Sequence, residues 1–406
     1  MVDVTTFSLR QNRSFLLFLS ARAAATLAYQ MTGVAVGWQL YDLTRSAMDL
    51  GLVGLMQFIP SLLLVLYVGH VADRYDRRRI VSLAQLAEAA ALGCLLFATM
   101  IHHLDRGTIF LLVFALGIGR AFEFSTIQTL APSLVEPESL PQAMATMSSV
   151  RQAATIIGPM LGGILYIAGP LAVYAASVIM FVTSAGIISF IKIRHTPAVR
   201  APASLQTLFA GITFIRSNPV VLGAISFDLF AVLCGGATAL LPIYARDILH
   251  VGPQGLGLLR AAPALGALAA AIYLARNPLA RRVGRIMFVA VAIFGVMTII
   301  FALSRSMLLS IAALAVLGWA DMVSVVIRAS LVQLETPDEM RGRVSAVNAV
   351  FIGTSNELGE FESGLTAALF GTVPAALFGG IGTLVVVLIW IRLFPQLLKR
   401  ERLQGG

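Results

Sequence analysis

Twelve apolar stretches, each roughly 20 residues long and separated by short polar loops, restrict what this 406-residue chain can fold into. Segments such as Leu50 to Val68 and Leu83 to Ile101 carry few or no charges, and a helix of that length crosses a hydrocarbon core of ~30 Å. The spans expected are 14–40, 47–68, 80–101, 108–131, 139–168, 170–191, 219–245, 254–275, 284–304, 307–333, 340–369 and 373–394. Composition agrees, with 58% hydrophobic and 12% charged residues and a mean hydropathy of +0.88. A soluble domain does not have those proportions. A membrane β-barrel needs segments of about ten alternating residues, and none is present. The reading is an all-α integral membrane protein.

Lys and Arg then orient the chain, because they are retained on the cytoplasmic side. With the N-terminus inside, 20 of the 29 basic residues fall in cytoplasmic segments and four (Arg45, Arg106, Arg246, Arg305) on the opposite face; five lie inside spans. Both termini are expected in the cytoplasm, with the protein multi-pass in the inner or plasma membrane. A net charge of +9 is accounted for by basic loops against anionic lipid, with no nucleic-acid partner. Cys94 and Cys234 both sit in spans, so neither a disulfide framework nor a metal centre is expected, and no cofactor is.

The longest polar interruption, from Lys192 to Asn218, contains "HTPAVRAPAS" and the amphipathic "LQTLFAGITFIRS", suited to lying on the cytoplasmic surface. It divides the chain into an N-terminal six-helix bundle (1–192), a linker with an amphipathic helix (193–218) and a C-terminal six-helix bundle (219–406). The halves look related. "EPESLPQAMATMSSV" at Glu136 to Val150 enters span five much as "TPDEMRGRVSAVNAV" at Thr336 to Val350 enters span eleven, 200 residues later. Weak internal repeats of six helices are the building plan of alternating-access transporters.

Two motifs sharpen this. "GHVADRYDRRRI", between spans two and three, resembles the loop 2-3 signature of the major facilitator superfamily: Gly69, Asp73, Arg74, Arg77 and Arg78 match, while Asp76 stands where that pattern has glycine. "GPMLGG" in span five, with Gly158, Pro159, Gly162 and Gly163, is similar to the signature of the superfamily's antiporter branch, mainly exporters. Pro159 removes a backbone donor and the glycines permit close helix contact. With "FLSAR", "LAPSLV", "FIRSNPVV" and "QLETPDEMRGRVSAVN", the chain is most similar to the enterobactin-exporter branch and its drug-efflux relatives. The resemblance implies two pseudo-symmetric six-helix bundles (the major facilitator fold), a gating contact carried by Asp73 and Arg77, and a central cavity lined by spans one, four, seven and ten.

An ionisable residue at the centre of a spanning helix costs at least ~2.5 kcal/mol on insertion scales and asks for a partner, a wet cavity or a function. Twelve are present: Arg22, Glu88, Arg120, Glu123, Arg151, Asp228, Arg260, Asp321, Arg328, Glu357, Glu360 and Glu362. By the resemblance, Arg22, Arg120, Glu123, Asp228, Asp321 and Arg328 belong to the cavity spans; Arg151 and Arg260 lie on spans five and eight and complete the candidate substrate cavity. Glu88, on peripheral span three, has no role in this reading. Arg120 and Glu123 share one helical face and can neutralise each other; Asp228 needs a partner from another helix or must titrate.

Span eleven is the least ordinary, since "SNELGEFESG" places Glu357, Glu360 and Glu362 within six residues. Crowded carboxylates in low dielectric repel one another, which favours holding a proton. Glu357, Glu360, Glu362 and Asp228 are therefore the proton-coupling candidates; ion pairing with Arg151 or Arg260 and direct binding of a cationic or metal-bearing substrate are the other readings of the glutamates. No Walker loop is present. The expected protein is a monomeric secondary active transporter, not an enzyme: a proton-driven exporter of a small organic molecule, siderophore-like or drug-like. A uniporter or importer on the same fold, and a non-transporting membrane sensor or assembly protein, are the alternatives.

Overall fold

The computed structural model describes residue 9 and residues 12–191, 205–279 and 281–403, with no strand among them. The first half holds α1 (Arg13–Thr44), α2 (Ala47–Arg74), α3 (Arg77–Met100), α4 (Arg106–Leu130), α5 (Leu140–Leu165) and α6 (Pro170–Ser189). After α7 (Leu205–Ser217) come α8 (Pro219–Cys234), the three-residue α9 (Leu241–Ile243), α10 (Pro253–Arg276), α11 (Val283–Leu303), α12 (Met307–Glu335), α13 (Asp338–Phe370), α14 (Thr372–Leu393) and the short α15 (Pro395–Leu398). Ten segments among the described residues are long and apolar enough to cross a membrane. α1 and α13, of 32 and 33 residues, are longer but more polar. Together they make twelve, with boundaries close to those expected from hydropathy.

Span seven departs from the expected single helix. It stops at Cys234, passes through Gly235 and Gly236, and continues as a 3-10 turn (Ala237–Leu240), α9 and a π-turn (Tyr244–Ile248). The break has a packing cause: a Cβ on Gly236 would overlap the backbone of Gly359, and one on Gly359 would lie 2.9 Å from the carbonyl oxygen of Val232. The backbones of α13 and this segment touch where only glycine fits.

Helix starts follow their sequence signals. Asn218 caps α8, its side chain accepting from the N–H groups of Val220 and Val221 ahead of a well-placed Pro219. α7, expected to be amphipathic, divides its apolar residues, with Phe209 exposed and Ile215 packed on protein. Ile215 is buried with Val344 and Val347 at the start of α13, and Gly211 lies against the backbone of Arg343. Residues 192–204, which open the proposed linker, lie outside the described residues.

Contacts divide the chain into two compact units, one of Met1–Val36 with Ile59–Pro202 and one of Gly37–Phe58 with Ala203–Gly406. The outer part of the first hairpin thus packs within the second unit. In the first unit, Phe15, Phe18, Val81, Ile127, Leu130 and Ile188 form a buried cluster. In the second, Phe227 stacks on Phe288 at 4.6 Å between ring centroids, with Trp390 alongside.

Candidate functional site

Glu123 on α4 is wholly buried, and lipid or protein surroundings leave such a carboxylate stable only with partners. It finds three in the first unit. Arg120, one turn earlier on the same face, donates to Oε2 at 2.8 Å; Gln85 Nε2 on α3 donates to Oε1 at 3.1 Å; Arg22 Nη1 on α1 stands 3.7 Å from Oε1. Arg120 also lies over the Tyr29 ring, 4.2 Å from its centroid, an arrangement that favours a cation. Arg22 has 6% of its side chain exposed and Arg120 has 24%, so Arg120 is the more open of the two. Glu88 is also buried, and it fits because α4 presents Gly119 there: a Cβ at that position would come within 2.6 Å of Glu88 Cγ. Arg151 is exposed on α5.

The glycines of span five press that helix against α1. A Cβ on Gly158 would meet Gln30 Cβ at 2.6 Å, and one on Gly162 would meet Met31 Cα at 2.9 Å; Pro159 and Gly163 are buried beside them. The motif therefore acts here as a close helix contact.

In the second unit, Asp228 on α8 forms a buried ion pair with Arg328 on α12. Asp228 and Asp321 line one small cavity with Ala231, Val232, Val291, Phe294 and Ser324. Asp321 has no ion-pair partner among the described residues. On α13, Glu357 and Glu360 turn to the same spot on α2. The position a Cβ would take on Gly54 is 3.1 Å from Glu357 Oε2 and 3.0 Å from Glu360 Oε2, which puts the two oxygens within about 6 Å of each other, close enough for like charges to oppose joint ionisation. Thr238, in the break of span seven, donates to Glu360 at 3.3 Å, and the Arg260 charge acts on the same carboxylate. Glu362 is apart from this group: it is exposed and accepts from Thr366 of its own helix at 2.7 Å.

Between α2 and α3, Asp76 caps α3 by accepting from the Arg78 N–H at 2.9 Å and holds the Arg78 guanidinium at 2.7 and 3.2 Å. Arg78 in turn donates to the carbonyl of Ile191 just beyond α6 (2.7 Å), and Arg77 donates to Thr129 at the end of α4 (3.2 Å). The concentrated charge of this loop thus ties off helix C-termini, where cations belong. Arg74 is exposed; Gly69 has open space around it; the side chain of Asp73 lies outside the described residues. Hydrogen bonding from Arg78 holds the Asp76 carboxyl below its ordinary value of 3.8, and the same bond raises Arg78. A depressed carboxyl contributes stability that is present above its unfolded pKa and is lost as pH falls through the folded one. Asp76→Ala is therefore expected to lower stability by about 1 kcal/mol, equally at pH 6 and pH 8, with the gap closing only below about pH 4. Thermal unfolding of the detergent-solubilised protein across that range checks it.

Reading ionisable groups alone missed the neutral partners, Gln85, Tyr29 and Thr238; an amide three residues before Glu88 was the available signal. Also missed was a charged network at the end of α1. Asp42 pairs with Arg246, Asp247 accepts from Tyr41 and pairs with Arg45 at 3.5 Å, and Arg246 lies over the Trp38 ring at 5.6 Å. Arg246 and Asp247 lie in the π-turn that ends span seven.

Over residues 4–402 the chain matches the family described as transmembrane secretion effector. It is 27% identical to the enterobactin exporter EntS of Citrobacter koseri over 96% of this chain and 94% of that protein, and 26% identical to EntS of Escherichia coli O139:H28 over 96% and 95%. In fold it is similar to a bacterial homologue of the human lysosomal transporter Spinster in an inward-facing, occupied conformation (TM-score 0.75, 13% identity, 96% of this chain and 97% of that one). It is also similar to a bacterial homologue of the iron transporter ferroportin (0.72, 18%, 97% and 100%) and to the nucleoside transporter NupG (0.69, 15%, 94% and 99%). Full-length agreement in sequence and in fold leads to one conclusion: the chain belongs to the transmembrane secretion effector family of the major facilitator superfamily, as a multi-pass membrane transporter of a small molecule and not an enzyme.

Proposed function

We propose that this protein exports a siderophore-like organic molecule across the inner membrane, driven by proton influx, by alternating access. The two six-helix halves, 1–192 and 219–406, act as the moving bodies about the linker 193–218. The protein works as a monomer with both termini in the cytoplasm, and its basic loops face lipid headgroups and not nucleic acid. The substrate class rests on the named exporters, which this chain resembles along nearly its whole length. Arg120 stacked on Tyr29 supports it, since a partly open guanidinium beside an aromatic ring suits a flat, oxygen-rich solute.

The observation that carries proton coupling is the Glu357–Glu360 pair facing Gly54. Two carboxylates so placed in low dielectric hold one proton between them more readily than none. Arg260 and Thr238 bias which of the two keeps the charge.

Uptake into inside-out vesicles tests the whole reading. The panel holds a catecholate siderophore, a hydroxamate siderophore, a macrolide and a lipophilic cationic dye, with and without an imposed acid interior. Uptake of a siderophore only with the gradient is the expected result, and Glu357→Gln and Glu360→Gln should each reduce that gradient dependence at least tenfold. Uptake indifferent to the gradient in the unsubstituted protein removes the proton, and movement of the dye alone replaces the substrate class.

A further inference from the structure

Glu88 sits on a helix that the substrate and coupling sites leave aside, yet it is among the most deeply buried acids of the chain, with 1% of its surface exposed. Its neighbours share a peculiarity. Arg22 Nη1 on α1, Gln85 Oε1 and Glu88 Oε2 on α3, and Thr126 Oγ1 on α4 are all buried without a hydrogen-bond partner among the described residues. Each belongs to a residue at least nine-tenths buried. A buried polar atom left unmatched costs about 1–3 kcal/mol; Arg22 and Gln85 touch Glu123, Glu88 acts on it through its charge, and Thr126 follows it by one turn on the same face of α4, so that the four point to a ligand.

The chemistry of the four atoms selects its class. Gln85 Oε1 only accepts, a carboxylate oxygen accepts, Arg22 only donates, and a hydroxyl does either. A cation would satisfy the acceptors and meet Arg22; an anion would satisfy Arg22 and meet Glu88 and Glu123. Water donates two bonds and accepts two, and buried water of this kind belongs to the fold.

We propose that these four atoms hold ordered water between α1, α3 and α4, and that Glu88 and Glu123 exchange a proton through it. The proton leaves a Glu88 carboxyl oxygen for the water oxygen while that water releases one of its own protons to a Glu123 oxygen; water is unchanged and one proton has moved. The charged groups acting on Glu88 are Glu123, Arg120 and Arg22, and α6, which also packs on α3, carries no charged residue. With the proton on Glu88, Glu123 neutralises the guanidiniums of Arg22 and Arg120. With it on Glu123, the negative charge passes to Glu88, which acts more weakly on both guanidiniums, so the proton's position sets how closely Arg120 is neutralised. This rests on the proton-driven reading for its use in transport, and not for the site itself.

Infrared difference spectra of the purified protein, recorded against pH in H2O and D2O without substrate, test it. Expected is a D2O-sensitive carboxylic-acid band that is lost in Glu88→Gln and shifted in Thr126→Val and in Gly119→Ala, whose new methyl displaces the Glu88 carboxyl. A band unchanged in Glu88→Gln overturns the proposal, as does one that neither Thr126→Val nor Gly119→Ala moves. Should Glu88→Gln not fold, those two variants decide alone. The spectra need no transport, so a shifted band together with gradient-independent uptake retires the coupling reading and leaves this site standing.

Discussion

Asp228→Leu is expected to remove most folded protein from the membrane, while Asp228→Leu combined with Arg328→Leu restores it. The single change leaves the Arg328 guanidinium, 5% exposed on its side chain, without its counter-charge. Breaking a buried pair from one side costs about 3–5 kcal/mol, whereas replacing both members by apolar side chains is close to neutral. Membrane abundance and the unfolding temperature of the solubilised protein measure both. A double variant as poor as the single one would show that the aspartate is held by something other than charge. A double variant that folds and no longer transports would instead place the pair among the groups retained for function, beside the Asp321 that shares its cavity.

The second large effect comes from backbone contact. Gly266 of α10 and Gly318 of α12 face each other's chains so closely that a Cβ on Gly266 would overlap the carbonyl of Ala315, and one on Gly318 the carbonyl of Pro263. Helices in lipid associate through such contacts, because lipid tails are as apolar as leucine and add no hydrophobic drive between them. Gly266→Val cannot be relieved by a rotamer change, since the obstacle is main chain. Its cost should exceed the ~1–3 kcal/mol of ordinary overpacking, with loss of folded protein as the readout. Gly93→Val on α3, where nothing lies within 4 Å, is the control and should stay within about 0.5 kcal/mol of the parent. If both variants unfold alike, glycine content and not the α10–α12 contact limits stability.

Hydropathy was enough to place the twelve spans because a 20-residue apolar run has few alternatives in a bilayer, and each backbone group must bond within its own helix. Local chemistry was legible too. Arg120 and Glu123 pair because i and i+3 share a face, and Asn218 before Pro219 starts α8 as its side chain dictates. Charge inside the spans marked residues worth following but not their partners. The acid that neutralises Arg22 lies 101 positions away, and the base that pairs with Asp228 lies 100 positions away.

Asp76 shows the limit most plainly. In sequence it is a departure from a glycine-bearing motif; in the fold it caps α3 and grips Arg78, which reaches the residue just past α6. Glu362 shows the converse: the helical period alone turns it about 140° from Glu357, and the fold leaves it exposed, accepting from Thr366 of its own helix. Span seven broke where its glycines meet the backbone of α13, a contact between residues more than 120 positions apart. The sequence by itself determined the helices, their number and the family, because those follow from periodicity, length and motif within short windows. Which carboxylate met which guanidinium, which glycine was a contact and which lay in open space, and where polar atoms were buried unmatched were decided only by the tertiary structure, because they depend on how distant helices are rotated and pressed together.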